Sequence, residues 1–416
     1  MSQNLTIDTD RLWASIIETA KFGGTAKGGI RRLALSAEDA QVRDWFSAAC
    51  EAVGCTVTSD AMGSMFARRP GRNPNMPPIA IGSHLDTQPT GGKFDGVIGV
   101  LAGLEILRRL HEAGIETEAP IEVINWTNEE GARYAPAMLA SGVFAGVFSL
   151  DYGHSRTDRD GVRFDTAMDG IGARGTAPLG HKLSAHFELH IEQGPILEEE
   201  GKAIGVVRGV QSIRWYEATL SGSDGHAGAT PMRLRKDALL GTARVIEAVN
   251  RVARAYAPDA VGTVGLIESK PNSRNVVPGE VFFSIDLRHP EDATLAEMDV
   301  MLRDAITEIA AADGLGLVLE ETWNAPAVHF DAQCRARIAA AADAFGYGHR
   351  EIVSGAGHDS AYINRVAPTA MIFVPCAGGL SHNEAESATQ ADVAAGANVL
   401  LHAVLATDRA LAEANS

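Results

Sequence analysis

Five residues of metal-ligating type, His84, Asp95, Glu130, His190 and His382, stand at or just past the ends of short apolar runs in this chain. PIAIGS, from Pro78 to Ser83, is an unbroken apolar run of the kind a strand covered on both faces requires. Polar residues begin only where it stops, so His84 and Asp86 fall at its carboxyl end. In open α/β sheets ligands bind in the crevice beyond those ends. PIEVINW, Pro120 to Trp126, repeats the pattern and runs into TNEEGARY, while FELHIEQG, Phe187 to Gly194, ends in His190, Glu192 and Gln193. Asp95 lies in a loop punctuated by Gly91, Gly92 and Gly96. Such a loop folds back tightly, so that His84 and Asp95 can share one ion.

Singly, each histidine is more often a satisfied polar residue, and an adjacent pair of glutamates is usually a solvated surface. The joint placement carries the argument, because a parallel sheet brings all five strand-end groups together. Five N and O ligands with one shareable carboxylate, Asp95, suit two divalent ions about 3.5–4 Å apart. Imidazole and carboxylate without thiolate favour Zn²⁺, and Mn²⁺, Co²⁺ or Ni²⁺ also fit. Asp86, two residues after His84, is the natural carboxylate to orient that ring. Glu129 precedes a ligand glutamate and so points differently, which makes it the candidate general base toward water at the metals.

The elements that must position these groups come from a 416-residue chain, longer than one ordinary core and pointing to two domains. A helix is expected over Asp10 to Lys21, and a second opens at Ser36 with Glu38 and Asp39 in its first turn. Residues 151–185 are polar and glycine-rich and yield no clear assignment. Near residue 210 the character changes: IRWYEATLSG alternates as a half-exposed strand, followed by a helix from Met232 to about Ala255. Strands at VGTVGLIE and VFFSIDLRH, a helix from Thr294 to Ala312 and a strand at GLVLEET complete a βαββαβ order. An inserted α+β domain is therefore expected over 211–325, within an α/β domain formed by 1–210 and 326–416. The helix Cys334 to Phe345 and the strand TAMIFVPC return to that first domain, with His382 just beyond.

At this level of detail the chain resembles a known family. GSHLDTQPTGGKFDG, NEEGARYAPAMLASGVFAG, HIEQGPILE, GHAGATPM, PNSRNVVPGE, SGAGHD and GGLSHNEAE are similar to the N-carbamoyl-amino-acid hydrolase and β-ureidopropionase branch of the M20 metallopeptidase-like amidohydrolases. The resemblance implies a zinc-peptidase-like catalytic domain with a mixed, mostly parallel sheet. It implies His84, Asp95 and His190 on one zinc, Asp95, Glu130 and His382 on the other, and Glu129 as base. It also implies that the inserted domain is a lid and the interface of a homodimer. His226 and Asn275 match positions that contact substrate, Gln193, Gly357 and His358 line the same cleft, and Arg288 offers a guanidinium fork to a substrate carboxylate. From spacing alone, Arg288 has an alternative in an ion pair with Asp286 or Glu291. The third ligand is a histidine where peptidase members typically carry a carboxylate, which favours carbamoylase over dipeptidase. Allantoate amidohydrolase or aminoacylase activity would use the same metals.

Other classes are disfavoured by simple features. The net charge of −17, without a basic run, repels nucleic acid and acidic membranes. The glycines from Gly91 to Gly103 lack a GxGxxG nucleotide turn. The first residues, MSQNLTIDTDRLWASIIETAKF, lack the basic start and apolar core of a signal peptide, and Cys50, Cys55, Cys334 and Cys376 form no CxxC pair. The expected location is the cytoplasm.

Overall fold

The strand Ile79–His84 is buried along its whole length, because it lies among parallel neighbours in the middle of the larger sheet. The computed structural model describes residues 5–414. They form two units, one made of the residues up to Gly209 and from His329 on, the other running from Val210 to Val328.

In the first unit four central strands run parallel in the order Ile121–Trp126, Ile79–His84, Ala185–Ile191 and Thr369–Val374. Antiparallel strands flank them: Met65–Arg69 and Thr56–Ser59 beside Ile121–Trp126, and Ile204–Val210 beside Thr369–Val374. The apolar runs read from sequence are these buried central strands, and the sheet is mixed with a parallel centre. Helix Val97–Glu112 packs on it with Leu101, Leu104, Ile106, Leu107 and Leu110 buried, each contributing about 1.5–3 kcal/mol. Gly99 sets how closely it approaches: a Cβ there would lie 2.5 Å from the Leu189 carbonyl oxygen and 2.6 Å from Ser83 Cβ. Alanine at this position would therefore push the helix off the strands that carry His84 and His190. Helices Leu139–Phe144 and Asp359–Ile363 pack against each other, and Phe144 and Ile363 join Phe66, Ile124 and Trp126 in a shared apolar cluster.

The first helix is Thr9–Thr19, capped by Asp8, and Ser36 caps helix Ala37–Glu51 by accepting from the Asp39 N–H. The unassigned stretch contains helices Leu150–Ser155 and Phe164–Gly170, held by a local cluster of Met62, Tyr134, Phe164 and Met168. Strand His349–Ser354 and the long helix Gln390–Ala414 were not anticipated.

The second unit carries an antiparallel sheet ordered Ile267–Lys270, Glu280–His289, Ser212–Ser221, Gly316–Ala325, with Val261–Thr263 also paired to Glu280–His289. Glu280–His289 alternates buried and half-buried along its length, so Val281, Phe283, Ile285 and Leu287 face helices Ala238–Ala255 and Asp292–Asp313. The βαββαβ order is present, with two differences. Met232–Leu234 is a separate 3-10 turn, and the helix begins at Ala238 because Asp237 caps it by accepting from the N–H groups of Leu239 and Leu240. The strand expected at VGTVGLIE is two short strands, which pair with different stretches of the same partner.

Candidate metal centre

The centre is built from strand ends of the first unit. His84 ends its strand, and its Nδ1 lies 2.9 Å from the carbonyl oxygen of Asp86. His190 is tethered in the same way, with Nδ1 2.9 Å from the carbonyl of Ile191. In both rings Nδ1 meets a main-chain carbonyl, so Nε2 is the nitrogen turned toward the centre and available to a metal. Asp95 stands between the two groups. Its Oδ1 is 3.0 Å from His190 Nε2 and 3.7 Å from His84 Nε2, while its Oδ2 is 3.7 Å from His382 Nε2. His382 Nε2 is in turn 3.5 Å from Glu130 Oε2. Two ligand clusters result, His84–Asp95–His190 and Asp95–Glu130–His382, sharing the Asp95 carboxylate. Gly96, which follows Asp95, has a positive φ of 68°, and a Cβ there would sit 2.2 Å from the His84 ring. Only glycine leaves that imidazole its place.

Glu129 Oε2 is 3.5 Å from His84 Nε2. The base candidate thus lies against the first cluster, while Glu130 serves the second. Asn128 adopts a left-handed φ of 61° and ties the following loop by donating to the Tyr134 carbonyl at 2.8 Å. One expectation needs correction. The Asp86 carboxylate does not orient the His84 ring; that role falls to the Asp86 main-chain carbonyl. The carboxylate instead accepts from the N–H groups of Glu129 and Glu130, each at 3.3 Å, and so holds the main chain of the candidate base and of the candidate ligand beside it.

Burial and crowding set the electrostatics. Burial, with Asp39 adding to it, pushes the Asp86 carboxyl up to about 7. Burial raises Glu129 well above its ordinary range, reinforced by Asp359 and Glu130, and raises Glu130 with help from Asp95. For Asp95 burial acts in the same direction, yet the neighbouring His190 and His84 outweigh it and hold it below the usual carboxylate range. Carboxylates packed this closely in a dry pocket call for cations, and imidazole nitrogens with carboxylate oxygens suit zinc-like divalent ions. The residues present therefore fit a two-metal centre.

The remaining expected residues divide between the units. Gln193, with a positive φ of 59°, donates to Asp95 Oδ2 at 2.8 Å and so touches the shared carboxylate. His358 is buried, its ring centroid 4.6 Å from that of His190 and its Nε2 2.9 Å from Ser354 Oγ. Gly357 is exposed before it, where a Cβ would meet Met138 Cε at 2.9 Å. His226, Asn275 and Arg288 belong to the second unit. His226 pairs across from Val276, and the Ala227 N–H donates to the Asn275 carbonyl at 2.8 Å, so these two positions adjoin. His226 Nδ1 accepts from Gly228 and Ala229 N–H at 3.0 and 3.2 Å. The ion pair with Asp286 that spacing offered Arg288 is present, with Nε at 3.0 and 3.1 Å from the two Asp286 oxygens and Nη2 at 2.8 Å.

Some functional neighbours escaped the sequence reading. Glu386 Oε1 accepts from the N–H groups of Phe94 and Asp95 at 3.0 and 3.1 Å, and Ser381 Oγ donates to Asp95 Oδ2 at 2.6 Å. Gln88 grips Glu130 through its main-chain N–H at 3.1 Å and its amide at 2.7 Å. All three lie in the motif stretches GSHLDTQPTGG and GGLSHNEAE, which was the available signal.

The family model described as Peptidase family M20/M25/M40 matches residues 80–406. An N-carbamoyl-L-amino-acid amidohydrolase of Rhizobium meliloti is 49% identical over 406 residues, covering 97% of this chain and 98% of that protein. An allantoate amidohydrolase of Bacillus subtilis is 35% identical over 381 residues, 90% of this chain and 92% of that one. Among solved structures, an amidase of the hydantoinase/carbamoylase family from Burkholderia multivorans superposes with a TM-score of 0.95 at 55% identity, covering 97% and 98% of the two chains.

Proposed function

Because the chain belongs to peptidase family M20/M25/M40, and within it to the carbamoylase branch, we propose that it hydrolyses the ureido C–N bond of an N-carbamoyl amino acid. The observation that carries this reading is the pair of ligand clusters sharing Asp95, with Glu129 3.5 Å from His84. Two divalent cations held by His84, Asp95 and His190 and by Asp95, Glu130 and His382, zinc foremost and Mn²⁺, Co²⁺ or Ni²⁺ as alternatives, would supply Lewis-acid activation of water and of the ureido oxygen.

The chain's own groups do the rest. Two nitrogens donate into a ureido carbon and make it a poor electrophile, so the attacking water must lose its proton as it adds. Glu129 takes that proton at its carboxylate. As the bond to the amino-acid nitrogen breaks, the same group returns the proton to that nitrogen. The carbamic acid left behind falls apart to carbon dioxide and ammonia. Asp86 keeps Glu129 and Glu130 aimed by accepting both their N–H groups. His226 accepts two main-chain N–H groups at Nδ1, so its own proton is on the exposed Nε2, where it can donate to a developing oxyanion. Arg288 is assigned the substrate carboxylate, for which it exchanges Asp286. Asn275, Gln193, Gly357 and His358 are assigned to the substrate's walls. A homodimer belongs to the same proposal, supported by Trp215, Val318 and Trp323 exposed on the second unit. A reducing, cytoplasmic setting is supported by four free, buried cysteines. Among the described residues no helix is long and apolar enough to cross a membrane.

The test is a substrate panel on zinc-loaded and chelated protein, scored by ammonia and amine release. It comprises N-carbamoyl-L- and D-α-amino acids, N-carbamoyl-β-alanine, allantoate and N-acetyl amino acids. Zinc-dependent turnover of a carbamoyl amino acid above the others is expected. Turnover of allantoate alone would transfer the assignment to the allantoate branch, and turnover of N-acetyl amino acids alone to an aminoacylase.

A further inference from the structure

Glu129 opens a loop whose far end is Met138, and that residue holds a left-handed φ of 53° that side chains rarely adopt unless their surroundings impose it. Its main chain is held on both sides. The Met138 N–H donates to the Glu129 carbonyl at 2.6 Å, and the Met138 carbonyl accepts from Ser141 Oγ at 3.2 Å and also from the Gly142 N–H at 3.0 Å. The same Ser141 hydroxyl is in short contact with Asp359 Oδ1. Ser141 and Asp359 are wholly buried, and Asp359 Oδ2 has no hydrogen-bond partner among the described residues.

The contacts continue on the other side of Asp359. Its neighbour Ser360 donates to Glu188 Oε2 from its main-chain N–H at 3.3 Å and from its hydroxyl at 2.7 Å. Glu188 Oε1 accepts from Ser83 Oγ at 2.9 Å. Ser83 directly precedes His84, and Glu188 stands two residues before His190 on the same strand. One buried polar chain therefore ties both histidine-bearing strands to the turn that carries Glu129. None of its side chains is among the ligands, the base or the substrate-facing residues assigned above.

We propose that Asp359 is a positioning residue for the base: through Ser141 and the Met138 carbonyl it fixes the turn that anchors the Glu129 main chain, and so aims the Glu129 carboxylate. The inference rests on the reading of Glu129 as base. A serine hydroxyl has one proton, and here two acceptors, the Met138 carbonyl and Asp359 Oδ1, compete for it. A proton on Asp359 resolves the competition, since Asp359 then donates to Ser141 and Ser141 to Met138. Burial and the nearby Glu188 push the Asp359 carboxyl in that direction. An asparagine has the same shape and can donate in the same place, whereas alanine leaves the serine unsupported.

Asp359→Ala, Asp359→Asn and Ser141→Ala are compared with wild type in the zinc-loaded enzyme and, for amide hydrogen exchange at Met138 and Leu139, in the metal-free protein. Asp359→Ala is expected to lower kcat about 10–100-fold with KM within about twofold and bound zinc unchanged, and to speed exchange of the Met138 N–H about tenfold or more. Asp359→Asn should restore both readouts to within about threefold of wild type. Ser141→Ala removes a single oxygen and carries the same test if Asp359→Ala does not fold. Adding it to Asp359→Ala should cost little more than either change alone, because the two act as one unit. Wild-type exchange at Met138 in both Asp359→Ala and Ser141→Ala overturns the inference whatever the substrate. If exchange behaves as expected but wild-type enzyme releases no ammonia from any carbamoyl amino acid, it is the functional reading that falls.

Discussion

Glu129 and Glu130 are adjacent in sequence yet face different histidines of the centre. Glu130 is gripped by Gln88 and lies 3.5 Å from His382, whereas Glu129 lies 3.5 Å from His84 and outside the second cluster. Glu129→Gln should therefore retain both metals and substrate affinity and lose about 10²–10⁴ in kcat, while Glu130→Gln should lose one metal equivalent. Metal analysis beside steady-state kinetics separates the two, and near-normal turnover in Glu129→Gln would remove it from the mechanism. Asp86 sharpens the contrast, since its two oxygens each take one of the glutamate N–H groups. Asp86→Asn keeps one acceptor and presents an N–H₂ to the other donor, so a fall in kcat of about tenfold or more is expected. Unchanged kinetics would mean that the loop is held without it. Spacing from His84 placed Asp86 near the centre correctly but misassigned its partner. Sequence separation gives proximity, and only the direction in which the chain turns after the strand decides whether carbonyl or carboxylate meets the ring.

Elements were legible wherever physics makes them local. A parallel strand buried on both faces is written as an apolar run that stops abruptly, which is why Ile79–His84, Ile121–Trp126 and Ala185–Ile191 could be found along with the polar residues that follow them. Caps are local too, and Ser36 was read correctly. The helix expected from Met232 to about Ala255 ends at Ala255 but starts at Ala238, because apolar Met232 and Leu234 extend the periodic pattern backward while Asp237 is the residue that satisfies the first free N–H groups. Helices of six and seven residues between turns, such as Leu150–Ser155 and Phe164–Gly170, carry too few periods to register. Long-range supports were least legible of all. Glu386 reaches back 291 residues to the Asp95 N–H, and although it stands in the GGLSHNEAE stretch, nothing there says which distant group it meets. The loop before helix Val97–Glu112 hangs on this carboxylate, which takes two of its main-chain N–H groups. Glu386→Ala should loosen the loop and weaken zinc binding about 10–100-fold, as measured by competition with a chromogenic chelator. An affinity equal to that of wild type would assign the hold on Asp95 to Ser381 and Gln193 instead.

At the scale of the whole molecule, cations and protons act on the same folded state. A largely buried set of carboxylates and imidazoles would bind divalent ions in the native chain and not in the unfolded one, so loading should stabilise it. At free zinc one hundred times the dissociation constant, the gain is about 2.7 kcal/mol per site. Calorimetry should then show a melting temperature roughly 5 °C or more higher in the loaded protein than after chelation. Protons act through His186, which is wholly buried in the strand Ala185–Ile191 and has no partner for Nε2 among the described residues. Burial alone lowers its pKa from the ordinary 6.5 to about 3. A folded-state pKa below the unfolded value means that the unfolded chain takes up the proton first. The stability associated with neutral His186 is therefore complete above pH 6.5 and drains away as the pH falls from 6.5 toward 3. By pH 5 this one group should account for about 2 kcal/mol of lost stability. His186→Gln, compared with wild type by urea unfolding between pH 7.5 and roughly 5, removes that proton uptake. With both proteins stripped of metal, protonation of the ligand histidines is common to the two curves. The wild-type curve should fall more steeply below pH 6.5, approaching a difference of about 1.4 kcal/mol per pH unit. Parallel curves would mean that His186 gains its proton as readily in the folded sheet as outside it, and that the acid limit of this fold lies elsewhere.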